Sequence, residues 1–217
     1  MTVKPRAYEE QVQMLADLHE IQNLFSRFLY LHLAGLDEET AGQFAQETPG
    51  VRAEFPTIGI YDGIESVRRF YVGAGKHVEG DRLGHLHLHT LTTPVIEVAR
   101  DGQTAQGVWI SPGVETAPNE NGVRALWHWI KYGVDFVKEN DAWKLWHLHI
   151  YRIFSTPPGQ SWAEPTPAPK LNLPEEIRPD RPSSYTWVYS PGVATEHIPA
   201  PPTSYGTWDE SRAYVQG

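Results

Sequence analysis

Four strand-like segments joined by short turns constrain the fold of this chain more than any other feature of its sequence. The segments are rich in β-branched and aromatic residues and span roughly residues 85–98, 104–115, 125–138 and 142–154. The turns between them are Arg100-Asp-Gly102, Pro118-Asn-Glu-Asn-Gly122 and Glu139-Asn-Asp141. Neighbouring parallel strands would need long crossover connections, so these short turns predict an antiparallel meander.

Three helices are predicted before the meander. The first carries an apolar stripe that ends on a histidine, formed by Met14, Leu18, Ile21, Phe25, Phe28 and His32. A short second helix is predicted from Asp37 through Phe44, and a third from the turn at Tyr61 to Tyr71, with a short strand at 51–55 between them. Helices that precede an antiparallel sheet pack on one of its faces, so we predict an α+β fold.

The chain changes character after Thr156. Twelve of its eighteen prolines lie from Pro157 onward, and such a composition is typical of linkers. The same region carries seven Trp and Tyr residues, and each could bury roughly 150–250 Å². We therefore predict one domain over 1–156 and an extension over 157–217 that wraps its own domain or a neighbouring subunit.

Composition excludes several classes of function. The formal charge is −9, so the chain offers no basic stripe to neutralise the phosphates of a nucleic acid. It has no run of about 18 apolar residues to span a bilayer, and its N-terminus lacks the apolar core of a signal peptide. The absence of cysteine excludes thiolate metal ligands and cysteine nucleophiles. We expect a soluble, cytoplasmic protein that binds neither nucleic acid nor membranes.

Half of the ten histidines lie in two strand-like segments with alternating faces. In the segment 84–90, His85, His87 and His89 project to one face of an extended strand, and the intervening leucines project to the other. His147 and His149 alternate in the same way. Imidazole can transfer protons or bind metals near neutral pH. The alternative for any one of them is a histidine that only forms hydrogen bonds in the core.

A metal centre is the main alternative use of these histidines. Successive histidines on one straight strand lie about 6–7 Å apart. A single ion would therefore need His87 or His89 together with His147 or His149 from another strand. We favour a site that uses neither a metal nor an organic cofactor.

Four stretches carry a family resemblance: Leu18-His-Glu-Ile-Gln-Asn-Leu-Phe-Ser-Arg-Phe-Leu-Tyr30, Ile60-Tyr-Asp-Gly-Ile-Glu-Ser-Val-Arg-Arg-Phe70, His89-Thr-Leu-Thr-Thr-Pro-Val-Ile-Glu-Val98 and Asp141-Ala-Trp-Lys-Leu145. Their order and spacing resemble the SnoaL-like branch of the nuclear-transport-factor-2-like (NTF2-like) superfamily, which includes ketosteroid isomerase and scytalone dehydratase. The resemblance implies a cone, in which a curved sheet wraps around the helices and leaves one apolar pocket. It also implies cofactor-free acid–base chemistry, although the same fold hosts non-catalytic modules.

The site positions of scytalone dehydratase are mostly changed in this chain. Of seven positions only His89 is retained. His32 and Leu33 stand for a tyrosine and an aspartate, Phe55 for a second tyrosine, Trp109 for a histidine, and Ile130 and Tyr132 for a serine and an asparagine. Because the usual aspartate–histidine pair is missing, scytalone dehydration itself is not expected.

We predict an acid–base site formed by His89, His32, Tyr30 and Tyr132, with His89 as the first choice for proton transfer. Predicted substrate-binding residues are His87, Tyr61, Trp109, Ile130, Phe55, His147 and Arg69. The predicted substrate is small, hydrophobic and aromatic.

The predicted reaction is a cofactor-independent elimination. The resemblance suggests loss of formaldehyde from a lignin-derived diarylpropane diol to give a stilbene. The alternatives are a dehydratase, isomerase or cyclase of a steroid-like or polyketide substrate, and a module that binds small molecules without catalysis. Trp127 and Trp129 lie on the opposite face of their strand from Ile130 and Tyr132, where they would suit the contact of a homodimer or homotrimer.

Overall fold

The computed structural model describes residues 7–76, 83–119, 122–164 and 173–217. The helices are α1 (Tyr8–Leu33), α2 (Asp37–Ala41) and α3 (Ile64–Ala74). The strands are β1 (Arg52–Phe55), β2 (Gly59–Asp62), β3 (Leu86–His89), β4 (Thr92–Val98), β5 (Thr104–Asn119), β6 (Gly122–Glu139) and β7 (Ala142–Thr156). Two short 3₁₀ turns follow, at Glu175–Ile177 and Glu210–Arg212.

Helix α1 follows its apolar stripe. Ile21, Phe25 and Phe28 are buried, and Met14 and Leu18 pack against the same core. Glu10 stabilises the first turn, because its carboxylate accepts a hydrogen bond from the backbone N–H of Ala7 at 3.0 Å. Helix α2 is shorter than predicted: it ends at Ala41, and Phe44 instead forms an isolated bridge to Leu145. The prediction of three helices before the meander is confirmed.

The strands form one seven-stranded sheet in the order β2-β1-β7-β6-β5-β3, with β4 also paired to β5. Strands β5, β6 and β7 are antiparallel neighbours, as the short turns predict. Asn140 and Asp141 form the turn between β6 and β7 with positive φ angles of 51° and 61°, which matches the twist of a hairpin. The exception to the antiparallel pattern is β1, which pairs with β7 in parallel.

Two local features of the sheet differ from the sequence prediction. The predicted single strand over 85–98 is divided at residues 90–91, and within its second part Thr93 adopts a φ of 48° and the register shifts between Thr92 and Val95. Its two parts, β3 and β4, pair with successive parts of β5. Strand β2 was not predicted. It is only four residues long and is held by pairing to β1, so it has too little periodicity to be recognised.

The core lies between the helices and one face of the curved sheet. Phe25 packs against Trp109 and Tyr132 at ring distances of 4.6 and 5.2 Å. Phe28 packs edge-on against Tyr71 of α3 at 5.8 Å. This is the predicted α+β arrangement, an NTF2-like cone with the helices inside the curve of the sheet. Within the described ranges, no helix is long and apolar enough to cross a bilayer.

Within the extension, the segment around Ile177 packs against α3, where Ile177 lies against Gly73, and the segments around Ser183 and Tyr214 pack on the opposite face of the sheet. The carboxylate of Glu54, which is fully buried, accepts hydrogen bonds from the hydroxyls of Ser183 and Ser184 and from the backbone N–H groups of Ser184 and Tyr185. Val215 is also fully buried. The extension therefore covers buried polar groups of the sheet, while its boundary at residue 157 stays a prediction.

Candidate active site

A cavity of about 280 Å³ opens between the helices and the inner face of the sheet. Its apolar part is formed by Phe28, Phe55, Phe70, Ile130 and Ile150. Its polar part is formed by His32, Asp37, His85, His87, His89, Glu115, Thr116, Arg124, His128, Tyr132 and Arg152. An apolar pocket with a few convergent polar groups is the usual form of a small-molecule site.

The three histidines of the segment 84–90 share one face of their strand, as the alternation predicts. His85, His87 and His89 all line the cavity. Leu86 and Leu88 point to the other face, where they are 47% and 50% exposed. The cavity therefore receives three imidazoles from this one segment.

Glu115 lies at the centre of the polar part of the cavity. Its Oε1 atom lies 3.1 Å from Nε2 of His89, and its Oε2 atom lies 2.9 Å from Nε2 of His128. The first contact is a hydrogen bond, and the second is a close polar contact without linear hydrogen-bond geometry. Burial favours the neutral form of Glu115, but its interactions with His128 and His89 outweigh burial and hold the pKa of Glu115 well below its usual range. Glu115 is therefore a carboxylate at neutral pH.

Strand register brings these three residues together. His89 of β3 pairs with Gly113 of β5, and Gly113 pairs with His128 of β6. The imidazole centroids of the two histidines are 6.0 Å apart. Glu115 is two residues from Gly113 on β5, so it projects to the same face. Nδ1 of His128 is also fixed, by Oγ of Ser155 at 2.6 Å.

Gly113 is required for this packing. A β-carbon at this position would overlap Nδ1 of His89 and would lie 2.7 Å from the backbone oxygen of Leu88. Nδ1 of His89 is buried and has no hydrogen-bond partner among the described residues. The glycine thus provides the space in which the His89 ring lies.

Two buried tyrosines remain protonated at neutral pH. Burial raises the pKa of Tyr132, and the negative charge of Glu115 adds to the effect; together they outweigh the opposing influence of Ser111. Burial likewise raises the pKa of Tyr71 well above its ordinary value. Both phenols can therefore donate a hydrogen bond but cannot act as bases.

His32 of α1 and His87 of β3 lie close together on the side of the cavity that faces the helices. Their ring centroids are 6.0 Å apart, and the His32 ring also lies edge-on to Tyr71 at 5.5 Å. The apolar stripe of α1 thus ends on a histidine inside the cavity, as the sequence predicts. Phe55 and Ile130, predicted to bind substrate, line the cavity as well.

Five predicted site residues lie outside this cavity: Tyr30, Trp109, Tyr61, Arg69 and His147. Tyr30 is 76% exposed on α1, and Trp109 packs in the core against Phe25. The Tyr61 hydroxyl donates to the backbone oxygen of Ile177 at 2.6 Å, and Arg69 forms an ion pair with Asp180 at 2.7 Å. Tyr61 and Arg69 therefore hold the C-terminal extension.

His147 is the clearest correction to the predicted set. It is fully buried on the outer face of β7, where its ring nitrogens contact Oδ2 of Asp135 and the backbone oxygen of Gly50, both at 2.9 Å. His149 lies on the same face, 3.4 Å from Glu54. The sheet separates both from His87 and His89, so the pairs that the alternative of a metal centre would need cannot form. Within the described ranges, no group of three or more His, Asp or Glu side chains is arranged to hold a metal ion.

Sequence reasoning missed Glu115, His128 and Arg152. Arg152 lines the cavity, and its Nε and Nη1 atoms are buried without a hydrogen-bond partner among the described residues. Burial lowers the pKa of this guanidinium, although the charge of Glu115 opposes the effect. A signal was present for Glu115 and His128, because they share strand faces with Trp109 and with Ile130, which were predicted to bind substrate. Arg152 has the opposite alternation from His147, so the prediction for His147 placed it on the other face. The pattern alone does not say which inward residues meet.

Comparison with known proteins supports the fold. A sequence model of the SnoaL-like domain matches residues 13–149. The chain is similar in structure to a candidate scytalone dehydratase from Novosphingobium aromaticivorans, with 15% identity, a TM-score of 0.55, and 70% of this chain and 99% of that one covered. It is also similar to a type 2 hexachlorocyclohexane dehydrochlorinase (LinA), with 18% identity, a TM-score of 0.55, and coverage of 71% and 98%.

A third similar structure is a candidate dehydratase of the NTF2-like family from Streptomyces avermitilis, with 16% identity, a TM-score of 0.54, and coverage of 64% and 98%. No curated protein matches the sequence significantly. At these identities the solved structures support the fold alone, and the sequence match carries the assignment. Since that match covers more than half of the 217 residues, the chain belongs to the SnoaL-like family.

Proposed function

We propose that this protein is a lyase that eliminates a leaving group from a small aromatic molecule by acid–base catalysis, without a metal or organic cofactor. The observation that carries the proposal is the position of Glu115 between His89 and His128 in an aromatic cavity. A carboxylate bound to a histidine fixes the ring and stabilises its protonated form, which makes the histidine a better base.

His89 is the proposed base. Its ring lines the cavity, and its Nε2 is bound to Glu115, the carboxylate that would stabilise the protonated ring. Proton transfer by a positioned side chain accelerates a reaction by about 10²–10⁴-fold.

The acidic partners lie on the other walls of the cavity. Tyr132 stays protonated and can donate a hydrogen bond to oxygen charge that develops on the substrate. His32 and His87 lie together on the helix side, where one of them can protonate the leaving group. The aromatic and aliphatic walls exclude water and accept a flat ring.

The specific candidate reaction is conversion of a phenolic diarylpropane diol into a stilbene. The acid protonates the benzylic hydroxyl, which leaves as water while the phenol gives up its proton, and the product is a quinone methide. The base removes the proton of the terminal hydroxyl, the neighbouring carbon–carbon bond breaks to release formaldehyde, and its electron pair forms the stilbene double bond. The electrons of the quinone methide return to the ring oxygen, which takes up a proton and becomes a phenol again. The products are one stilbene, one water and one formaldehyde, so no oxidant or reductant is needed.

Dehydration of a smaller aromatic molecule is the second candidate. It is favoured by the cavity volume of about 280 Å³, which lies near the lower end of the usual range for ligand pockets. A two-ring diol would have to extend through the opening, whereas a one-ring substrate would fit inside.

The test is incubation of EDTA-treated protein with phenolic diarylpropane diols and with one-ring benzylic alcohols. Stilbene or styrene absorbance and released formaldehyde are measured for the wild type, for His89→Gln and for the control His19→Gln, an exposed histidine on α1. Turnover that persists in EDTA and is lost only in His89→Gln supports the proposal. Binding of substrate without any product would identify a binding module instead.

We also propose that the protein is a homodimer or homotrimer. Trp127, Trp129 and Leu88 are 51%, 38% and 50% exposed on the outer face of the sheet, where a second copy could cover them. Light scattering should give a dimer or trimer for the wild type and a smaller mass for Trp127→Ser. A monomeric wild type would contradict this.

A further inference from the structure

Arg152 is a cation that forms no ion pair and no hydrogen bond with the described residues around the cavity. It stands on β7 opposite Ile130 of β6, and its side chain lines the cavity. Nε and Nη1 are buried and make no hydrogen bond within the described part of the chain. Burial of an unpaired charge is costly, because the protein does not replace the water that the charge loses. Arginine cannot avoid that cost by releasing its proton.

The charged groups around Arg152 do not neutralise it. Glu115 is the carboxylate that acts on it electrostatically, but both Glu115 oxygens are held by His89 and His128. Arg124 adds a second positive charge to the same wall. The other lining carboxylate, Asp37, packs against Gly75 at the end of α3, where a β-carbon would overlap its Oδ2 atom.

We propose that Arg152 binds an anionic oxygen of the substrate, carried by the aromatic ring either as a carboxylate or as a phenolate. The inference rests on the proposed function, because it takes the same cavity as the substrate site. A guanidinium forms strong charge-assisted hydrogen bonds with such oxygens, and in a water-poor cavity they are stronger than at the surface. An aromatic acid bound there places its ring against the apolar wall.

This assignment also explains why an arginine occupies an inward position of the sheet. A neutral hydrophobic substrate would gain nothing from a buried guanidinium and would be bound better by an aliphatic side chain at residue 152. An anionic substrate supplies the missing hydrogen-bond acceptor, and the charge of Arg152 is balanced only while that substrate is bound. Arg152 thereby selects ionised aromatic compounds over neutral compounds of the same shape.

The test measures binding of three small probes by isothermal titration calorimetry. Benzoate carries a carboxylate, 4-nitrophenol carries a phenol that ionises near neutral pH, and benzamide is a neutral analogue of benzoate. The proteins are the wild type, Arg152→Met, Arg152→Lys, Arg124→Met and the control Arg68→Met, whose arginine pairs with Glu38 on the protein surface. Circular dichroism and thermal unfolding establish that each variant is folded.

The wild type should bind benzoate at least about 10-fold more tightly than benzamide. Arg152→Met should weaken benzoate binding by about 30-fold or more while leaving benzamide binding unchanged, and Arg152→Lys should retain part of the preference. Arg124→Met and Arg68→Met should have much smaller effects. Equal binding of benzoate and benzamide, no benzoate binding by the wild type, or unchanged benzoate binding by Arg152→Met would each overturn the inference.

Absorbance of 4-nitrophenol distinguishes the two kinds of anion. If the bound oxygen is a phenolate, the wild type should increase the ionised fraction of the bound probe, and Arg152→Met should abolish the increase. If only benzoate depends on Arg152, the site is specific for carboxylates.

These results separate the inference from the proposed function. Arg152-dependent benzoate binding without turnover of any substrate would leave the anion site standing and overturn the lyase proposal. Turnover of neutral substrates that requires His89 and is unchanged in Arg152→Met would support the lyase proposal and overturn the anion site.

Discussion

Replacing Gly113 with alanine should move the His89 ring without changing the chemical nature of that residue. The substitution adds one methyl group and leaves every residue of the proposed acid–base set in place. The added β-carbon would overlap Nδ1 of His89 and would lie 2.8 Å from its Cε1 and 2.7 Å from the backbone oxygen of Leu88. The ring can relieve the overlap only by moving away from β5, and that movement would break its 3.1 Å contact with Glu115.

The magnitude follows from the packing. Overfilling a well-packed site by one methyl group costs about 1–3 kcal/mol, so chemical denaturation should give a folded but weakened protein. The loss of an oriented base should lower kcat by about 10²-fold or more, within the range of general base catalysis. KM should change less, because the apolar wall is not altered.

Gly192→Ala is a matched control, since nothing lies within 4 Å of a β-carbon at that position. It should retain both the stability and the activity of the wild type. If Gly113→Ala turned over substrate at the wild-type rate, the position of the His89 ring would not matter and the role of His89 as the base would be refuted.

Three further predictions concern single charged groups. Glu115→Gln should lower kcat by about 100-fold or more. Because folding lowers the pKa of Glu115, this carboxylate stabilises the folded state above its ordinary pKa of 4.5, and the stabilisation is lost as the pH falls. Acid titration followed by circular dichroism should therefore show that the wild type loses stability below that pH more steeply than the variant. Arg152→Met should raise the free energy of unfolding by about 1–3 kcal/mol, since it replaces an unpaired buried charge with an apolar side chain, and a lower melting temperature would contradict this interpretation. Glu54→Gln should lower the free energy of unfolding by about 3 kcal/mol, because it weakens charge-assisted hydrogen bonds to Ser183 and Ser184. Faster proteolysis after residue 173 would indicate that the extension is released, whereas unchanged cleavage would show that other contacts hold it.

Local pattern predicts most of the elements of this fold. The strand boundaries and turns of the meander follow from alternation and from turn-forming residues, both of which depend on neighbours in the chain. The inward stripe of α1 and the common face of His85, His87 and His89 follow from fixed geometric periods. Strand β2 and the break before Thr92 escaped prediction, because pairing with another strand decides them.

The composition of the site depends on contacts between distant segments. His89, Glu115 and His128 come from three strands, and only the register across Gly113 places their side chains together. The same limit applies to a helix. The position of Tyr30, two residues from the apolar stripe, left open whether its side chain reached the cavity, and the packing of α1 exposes it to solvent.

The sequence by itself determined the α+β class, the antiparallel meander and the delivery of histidines to one face, because helix and strand periods are properties of the local backbone. Only the tertiary structure decided that His147 forms hydrogen bonds under the C-terminal extension, that Arg152 has no hydrogen-bond partner among the described residues, and that Glu115 contacts two histidines. Register and burial are set by the packing of the whole domain, and they determine which of several inward-facing polar residues meet.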